Sequence, residues 1–331
     1  MSLPLPALDR RVLIPDLVAE PQAPAGTVRH DLGGSAFATT WQVSVYAEAD
    51  ADAVLMGLKT RLQAVLDGID REMSPYRIDS DLTRFNLAPA GAQVVLPARM
   101  MRVMRHALDM AELTGGAFDP AILPAVELWG FGARAVPEGL PDTSTLTAGH
   151  WRDLIWQTDR IIKPESVRID LCAIAKGYAV DALVDLLKAE PGICSALVEV
   201  GGELKGWGVQ PDGLPFWVEI ETPVKAATVA ALCDWAVATS GEQVRSFMHD
   251  GQVHSHIIDG RTQAPTRSGV VSATVFDSEC WRADALATAL MVMGEVGAMD
   301  FAVAHDIPCL LWLRDGSGFR ERLSPRLEAW L

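Results

Sequence analysis

The sequence predicts one α+β domain, and three observations carry that expectation. Helix and strand signals alternate, but loosely and without strict βαβ repeats. No internal repeat or clean linker divides the 331 residues. Hydrophobic residues make up 49% and charged residues 21%, which is enough apolar material for a sizeable core and unlike a disordered chain.

The Pro-rich lead, residues 1–30, reads as an N-terminal extension to a domain over 31–331. Ala38 to Glu48 alternates and is rich in Thr, Val and aromatics, which predicts a strand. Ala51 to Met73 carries Val54, Leu55, Leu58, Leu62, Val65, Leu66 and Ile69 at helical spacing. Pro97 to Leu113 predicts a second helix with Met101, Met104, Ala107, Leu108 and Leu113 inward. Ala133 to Leu154 is polar and rich in Pro and Gly, as an excursion or loop would be. Val167 to Leu171 predicts a short strand, and Ala175 to Ala189 a helix stopped by Pro191-Gly192. Strands follow at Cys194–Val200, Trp217–Glu221, Trp235–Thr239, His254–Ile258 and Gly269–Phe276. A helix over Arg282–Met293, helical continuation at Phe301–His305 and a terminal strand at Cys309–Leu313 complete the expectation.

The net charge is −15, which speaks against nucleic acid and anionic membranes as partners because both need cationic surface. A phosphate ester bound by so acidic a chain needs a metal, a lysine or backbone amides close by. Apolar stretches such as Ala283 to Gly294 are too short to span a bilayer and carry an acid. Asp9, Arg10, Arg11 and Asp16 interrupt the N-terminus, so no secretory leader is expected. The expected compartment is the cytoplasm, or the periplasm if a leader has been removed. Five cysteines without a CxxC pair argue against zinc and against a disulfide framework. Buried thiols are expected.

Five segments carry candidate chemistry. In Met73-Ser74-Pro75-Tyr76, Tyr76 is an aromatic able to cover a flat ring, and Asp79 or Ser80 caps a short helix. Thr114-Gly115-Gly116-Ala117-Phe118-Asp119-Pro120 reads as a helix C-cap whose glycines also let a ligand approach the backbone. Ile169 to Tyr178 runs from a strand into a helix. There the amides of Ala173 to Gly177 and Lys176 would make a phosphate cradle, with a plain strand–turn–helix equally open. His256 lies in a β-like run beside Asp259, Arg261 and Thr262, where a structural histidine is the commoner outcome. Asp284 and Thr288, spaced i and i+4 on one helix face among small apolar residues, form a hard oxygen pair suited to Mg²⁺. The plainer alternative is a helix-start acid with Thr288 bonded back to a carbonyl.

Read in order, MSPYRIDSDLTRFN, TGGAFDP with LWGFG, IDLCAIAKGYAVD, VEVGGELKGWG, VATSGE, SHIIDGRT and ADALATAL resemble the ApbE family. The likeness runs from about Ala38 to Gly294, and the closing LEAWL also fits. The resemblance implies an α+β, T-fold-related domain whose mixed or antiparallel sheet is packed by helices and forms an FAD cleft. It implies a Mg²⁺-dependent FAD:protein FMN transferase. Such an enzyme cleaves the FAD pyrophosphate, links FMN by a phosphoester to a Thr or Ser of an acceptor flavoprotein, and releases AMP. Family acceptors present a loop of the form Asp/Ser-Gly-x-Thr-Ser/Thr. An FAD pyrophosphatase is the nearest alternative, and a non-catalytic flavin-binding or carrier protein the next.

By the same resemblance, Tyr76, Ala117, Phe118, Asp119, Asp170, Lys176 and Ile258 contact FAD. The metal is held by the Ala173 carbonyl, Asp284, Thr288 and the carbonyl region of Ala287. His256 is the catalytic base, with Asp259 as a candidate to orient it, and Thr239, Ser240 and Gly241 border the site. Three positions depart from the family pattern: Phe37 in place of Met, Gly260 in place of Pro, and Gln263 in place of Gly.

Overall fold

The protein is described by a computed structural model over residues 11–17, 20–133, 140–143, 146, 150–158, 160–224, 228–242, 245–249 and 251–331. Eight strands form its central sheet: β1 (Val28–Ala36), β2 (Thr39–Ala47), β3 (Ile193–Val200), β4 (Glu203–Trp207), β5 (Ala236–Gly241), β6 (Val270–Asp277), β7 (Cys309–Asp315) and β8 (Gly318–Leu323). Their order across the sheet is their order in the chain, and each neighbouring pair is antiparallel. The sheet is therefore a meander, and its long connections carry the helices. Between β2 and β3 lie α1 (Leu58–Met73), α2 (Ala98–Leu113) and α3 (Cys172–Ala189), and between β6 and β7 lies α4 (Cys280–Ala304).

The two faces of the sheet bury different layers. Trp41, Val43 and Val45 of β2 point into the helices, whereas Tyr46 points to the other side. There Val237, Phe276, Phe216, Leu13 and Trp330 form a second core under the hairpin Phe216–Ile220 and Thr228–Leu232. Every residue of β6 is buried, as expected for a central strand covered on both faces. Trp41 is fully buried and its indole N–H donates to Gln63 Oε1 at 2.9 Å. Truncating it to Ala would cost about 3–5 kcal/mol.

The α+β class holds, and several elements differ from expectation. The helix over Ala51–Met73 is broken at Gly57, whose φ of 81° ends one short helix and lets α1 begin at Leu58. The buried face of α2 is turned from the predicted one. Met100, Val103, Met104, Ala107, Met110 and Ala111 are inside, while Leu113 is exposed. No strand forms at Val167–Leu171. Its backbone is instead satisfied by the Asn86 side chain on both polar groups of Ile169, by Lys163 Nζ on the Val167 carbonyl and by the Pro120 carbonyl. His254–Ile258 splits into strands Gln252–Ser255 and Ile258–Asp259, with His256 between them. β7 is not terminal, since β8 follows it.

β1 begins before residue 31 and pairs with β2 along its length, and Arg11–Leu13 pairs with Thr228–Ala230. Much of Ala133–Leu154 lies outside the described residues, and Trp151–Asp153 forms a short 3-10 turn. α4 continues past a kink at Gly294, so by length and composition it is long and apolar enough to cross a membrane. In this fold it is the central helix of the core, packed on α3, β5 and β6. Cys233, Cys280 and Cys309 are buried as expected, but Cys172 is exposed.

Candidate functional site

The floor of the site is set by how closely α3 and α4 approach. Gly177 has no room for a side chain: a Cβ there would meet the Cys280 carbonyl carbon and Trp281 Cα at 2.7 Å, and the Cys280 oxygen closer still. This contact places the Gly177 N–H 2.9 Å from Asp284 Oδ2, to which it donates. Asp284 is buried, and burial pushes its pKa up against the pull of Lys176 and of that amide. Burial works against the Lys176 ammonium too, but Asp284 and Glu203 outweigh it and hold the lysine pKa above its ordinary value. Lys176 is ion-paired to Glu203. Burial pushes the Glu203 carboxyl up to about 8 against that lysine, and its Oε2 has no partner among the described residues.

Thr288 lies one turn beyond Asp284. Its hydroxyl is 3.0 Å from Ser240 Oγ at the end of β5 and does not bond back to its own helix. The Ala173 backbone departs from helical geometry (φ −88°, ψ 16°), and Ala173 lines the cavity beside Asp284 and Thr288. The floor thus gathers a carboxylate, a hydroxyl and the backbone of Ala173, whose oxygens are hard donors of the kind Mg²⁺ prefers.

The start of α3 differs from the amide cradle the sequence suggested. The N–H groups of Ile174 and Ala175 go to the Leu171 carbonyl, that of Gly177 goes to Asp284, and that of Cys172 goes to Asp170 Oδ1 at 2.8 Å. What the helix start offers is the Lys176 side chain. Asp170 is buried beside it, and burial raises its pKa.

The rim is built from loops. Gly115 and Gly116, both at positive φ, close α2: the Gly116 N–H reaches the Ala111 carbonyl at 2.8 Å. That turn delivers Ala117, Phe118 and Asp119. Burial raises the Asp119 pKa, and Oδ1 accepts the Ala121 N–H at 2.7 Å. Asp119 packs on the bare Cα of Gly260, where a Cβ would meet Oδ2 at 2.6 Å. At the rim too, the Tyr76 hydroxyl donates to the Phe131 carbonyl at 3.2 Å and accepts from Arg245 Nη1 at 2.8 Å. The Arg245 carbonyl faces both the His256 N–H, at 3.0 Å, and His256 Nδ1, at 3.1 Å. Asp259 does not orient His256, because its carboxylate is forked by Arg261 at 2.9 and 2.8 Å.

These groups line one cavity of about 710 Å³. It brings together Tyr76, Ala117, Phe118, Asp119, Asp170, Ala173, Lys176, His256, Ile258, Asp284 and Thr288. Ala287 is buried on the same helix and does not line the cavity. Sequence reasoning assigned no role to Glu203 or Arg245, which also line it. Glu203 carried one signal: an acid directly after Gly201-Gly202 at the start of a buried strand.

The fold and the cleft define a class: an α+β protein whose deep cavity pairs an acidic, cation-suited floor with an aromatic rim, as a flat phosphate-bearing ligand requires. The chain belongs to the ApbE family, whose model matches residues 37–311. It is 36% identical to the FAD:protein FMN transferase of Vibrio cholerae, over 95% of this chain and 96% of that one. It is 32% identical to the protein of the same name from Klebsiella pneumoniae, over 96% and 93%. Among solved structures it is similar to the apo flavinyl transferase ApbE of Pseudomonas stutzeri, with a TM-score of 0.85 at 32% identity, covering 92% of this chain and 97% of that one. The flavin transferase ApbE of V. cholerae gives 0.83 at 34%, covering 92% and 100%.

Proposed function

We infer that this chain is an FAD:protein FMN transferase. Asp284, Thr288 and Lys176 share the floor of one cavity, and that observation carries the reading. The family and the names of relatives matching nearly the whole chain support it.

FAD lies in the cavity with its flat rings against the Tyr76, Phe118 and Ile258 side and its pyrophosphate toward Lys176. The Asp284 carboxylate, the Thr288 hydroxyl and the Ala173 carbonyl would hold Mg²⁺. When bound, that ion neutralises charge on the pyrophosphate oxygens. Lys176 adds a fixed cation beside them.

His256 is the base. A carbonyl only accepts, so the neutral ring keeps its proton on Nδ1, toward Arg245, and leaves Nε2 with a free lone pair. Burial lowers the His256 pKa and favours that neutral form. The acceptor Thr or Ser gives its hydroxyl proton to Nε2, and its oxygen forms a bond to the FMN phosphorus. The bond from that phosphorus to the bridging oxygen breaks, and AMP leaves with the bridging oxygen. The acceptor is a flavoprotein loop of the form Asp/Ser-Gly-x-Thr-Ser/Thr.

The direct test is AMP release from FAD by the purified chain with Mg²⁺ and an acceptor domain carrying that loop. AMP should appear, and EDTA should stop it. Bound FAD with no AMP would make the protein a carrier. AMP with free FMN alone would make it a pyrophosphatase.

A further inference from the structure

The cations lining the cavity differ in what neutralises them. Lys176 is paired with Glu203, and Arg77 is paired with Asp70 and Asp79. Arg245 also lines the cavity, and no carboxylate lies within ion-pair range of it among the described residues. Among the described residues its side chain makes one hydrogen bond, through Nη1 to the Tyr76 hydroxyl. The remaining guanidinium donors present a planar fork that matches a carboxylate.

Position decides what Arg245 meets. The floor with Lys176, Asp284 and Thr288 suits the pyrophosphate, whereas Arg245 is exposed at the rim. Its own carbonyl holds His256 through two contacts. The Arg245 and His256 side chains line the same cavity, and the Arg245 charge acts on the His256 ring, so a segment that brings a hydroxyl to His256 enters within the field of that guanidinium. In a chain of net charge −15, a free cation at this point selects for negative charge on an incoming protein.

We propose that Arg245 is a specificity-determining residue that binds an acidic side chain of the acceptor next to the modified Thr or Ser. The proposal rests on the transferase reading. The pair forms at the rim and leaves the FAD pyrophosphate to the floor.

The test compares the wild-type chain, Arg245→Gln and Arg245→Lys. The acceptors are a domain whose loop reads Asp-Gly-x-Thr-Ser and its counterpart with that Asp replaced by Asn. Initial transfer rates give acceptor KM, and flavin fluorescence gives FAD affinity without acceptor. Arg245→Gln should raise KM for the Asp loop about tenfold, the size of one charge-assisted pair. It should leave KM for the Asn loop unchanged and alter FAD affinity less than KM for the Asp loop, because the Tyr76 hydroxyl keeps its bond to the Phe131 carbonyl. Arg245→Lys should recover part of the loss, since it keeps charge but not the fork. Equal losses on both loops, or weaker FAD binding with unchanged acceptor KM, would overturn the proposal. A wild-type chain that cleaves FAD and modifies neither acceptor would remove the transferase reading and this proposal with it. That failure is distinct because it shows before any substitution is made.

Discussion

The floor and the rim of the cleft are held by different physics. The floor is a contact between two core helices: Gly177 against Cys280 fixes the helix spacing, and Asp284 and Lys176 are placed by that packing. The rim is a chain of hydrogen bonds between loops, running from Phe131 through Tyr76 and Arg245 to His256. A packed floor fixes charge where a phosphate would sit. A hydrogen-bonded rim can yield to a protein loop that must enter. Damage to the floor should therefore remove FAD cleavage altogether, while loss of His256 at the rim should slow transfer and spare binding.

The largest expected effect is Asp284→Ala, which should cut Mg²⁺-dependent AMP release by at least about a hundredfold, followed by nucleotide chromatography. Cleavage near the wild-type rate would show that the floor does not carry the chemistry. His256→Gln should slow transfer by about a hundredfold or more while FAD binding, read by fluorescence, stays within about twofold. Loss of FAD binding in that variant would erase the distinction between floor and rim.

The same histidine gives a pH dependence. Its pKa is lowered from 6.5 by burial, so the neutral base persists on acidification until the pH passes that lowered value. The acid limb of the transfer rate should therefore fall below pH 6.5 and vanish in His256→Gln. A limb above that pH would assign the titration to another group.

Gly177→Ala should lower stability by about 1–3 kcal/mol, seen in thermal or denaturant unfolding, because the added methyl enters the α3–α4 contact. The smallest expected effect is at the β1–β2 turn, which lines the cleft with Phe37 and Ala38 at φ of 52° and 58°. Ala38→Gly should raise stability by up to about 1 kcal/mol by relieving left-handed strain, less the added freedom of the unfolded chain. A loss of stability there would mean that the methyl packs favourably.

The floor was more legible in the sequence than the rim. Asp284 and Thr288 declare a shared face through their spacing, and a lysine at a strand-to-helix turn suggests an anion. Glu203 stayed hidden because its partner Lys176 lies 27 residues away on another element. The rim is written in longer separations still, 55 residues from Tyr76 to Phe131 and 169 from Tyr76 to Arg245, which local pattern does not encode. Two misreadings of the fold have the same root. β1 carries Gly33 and Gly34 and lacks a strand's usual composition, yet Gly34 sits against the Trp41 indole where a Cβ would not fit. Val167–Leu171 has strand composition, but the Asn86 side chain takes the place of a neighbouring strand at Ile169.

The most direct test of FMN transfer is the intact mass of an acceptor domain after incubation with the chain, FAD and Mg²⁺, with AMP followed in the same reaction. A transferase gives a gain equal to FMN less water on the loop Thr or Ser, matched mole for mole by AMP. An acceptor of unchanged mass, with FAD bound and no AMP released, would contradict it.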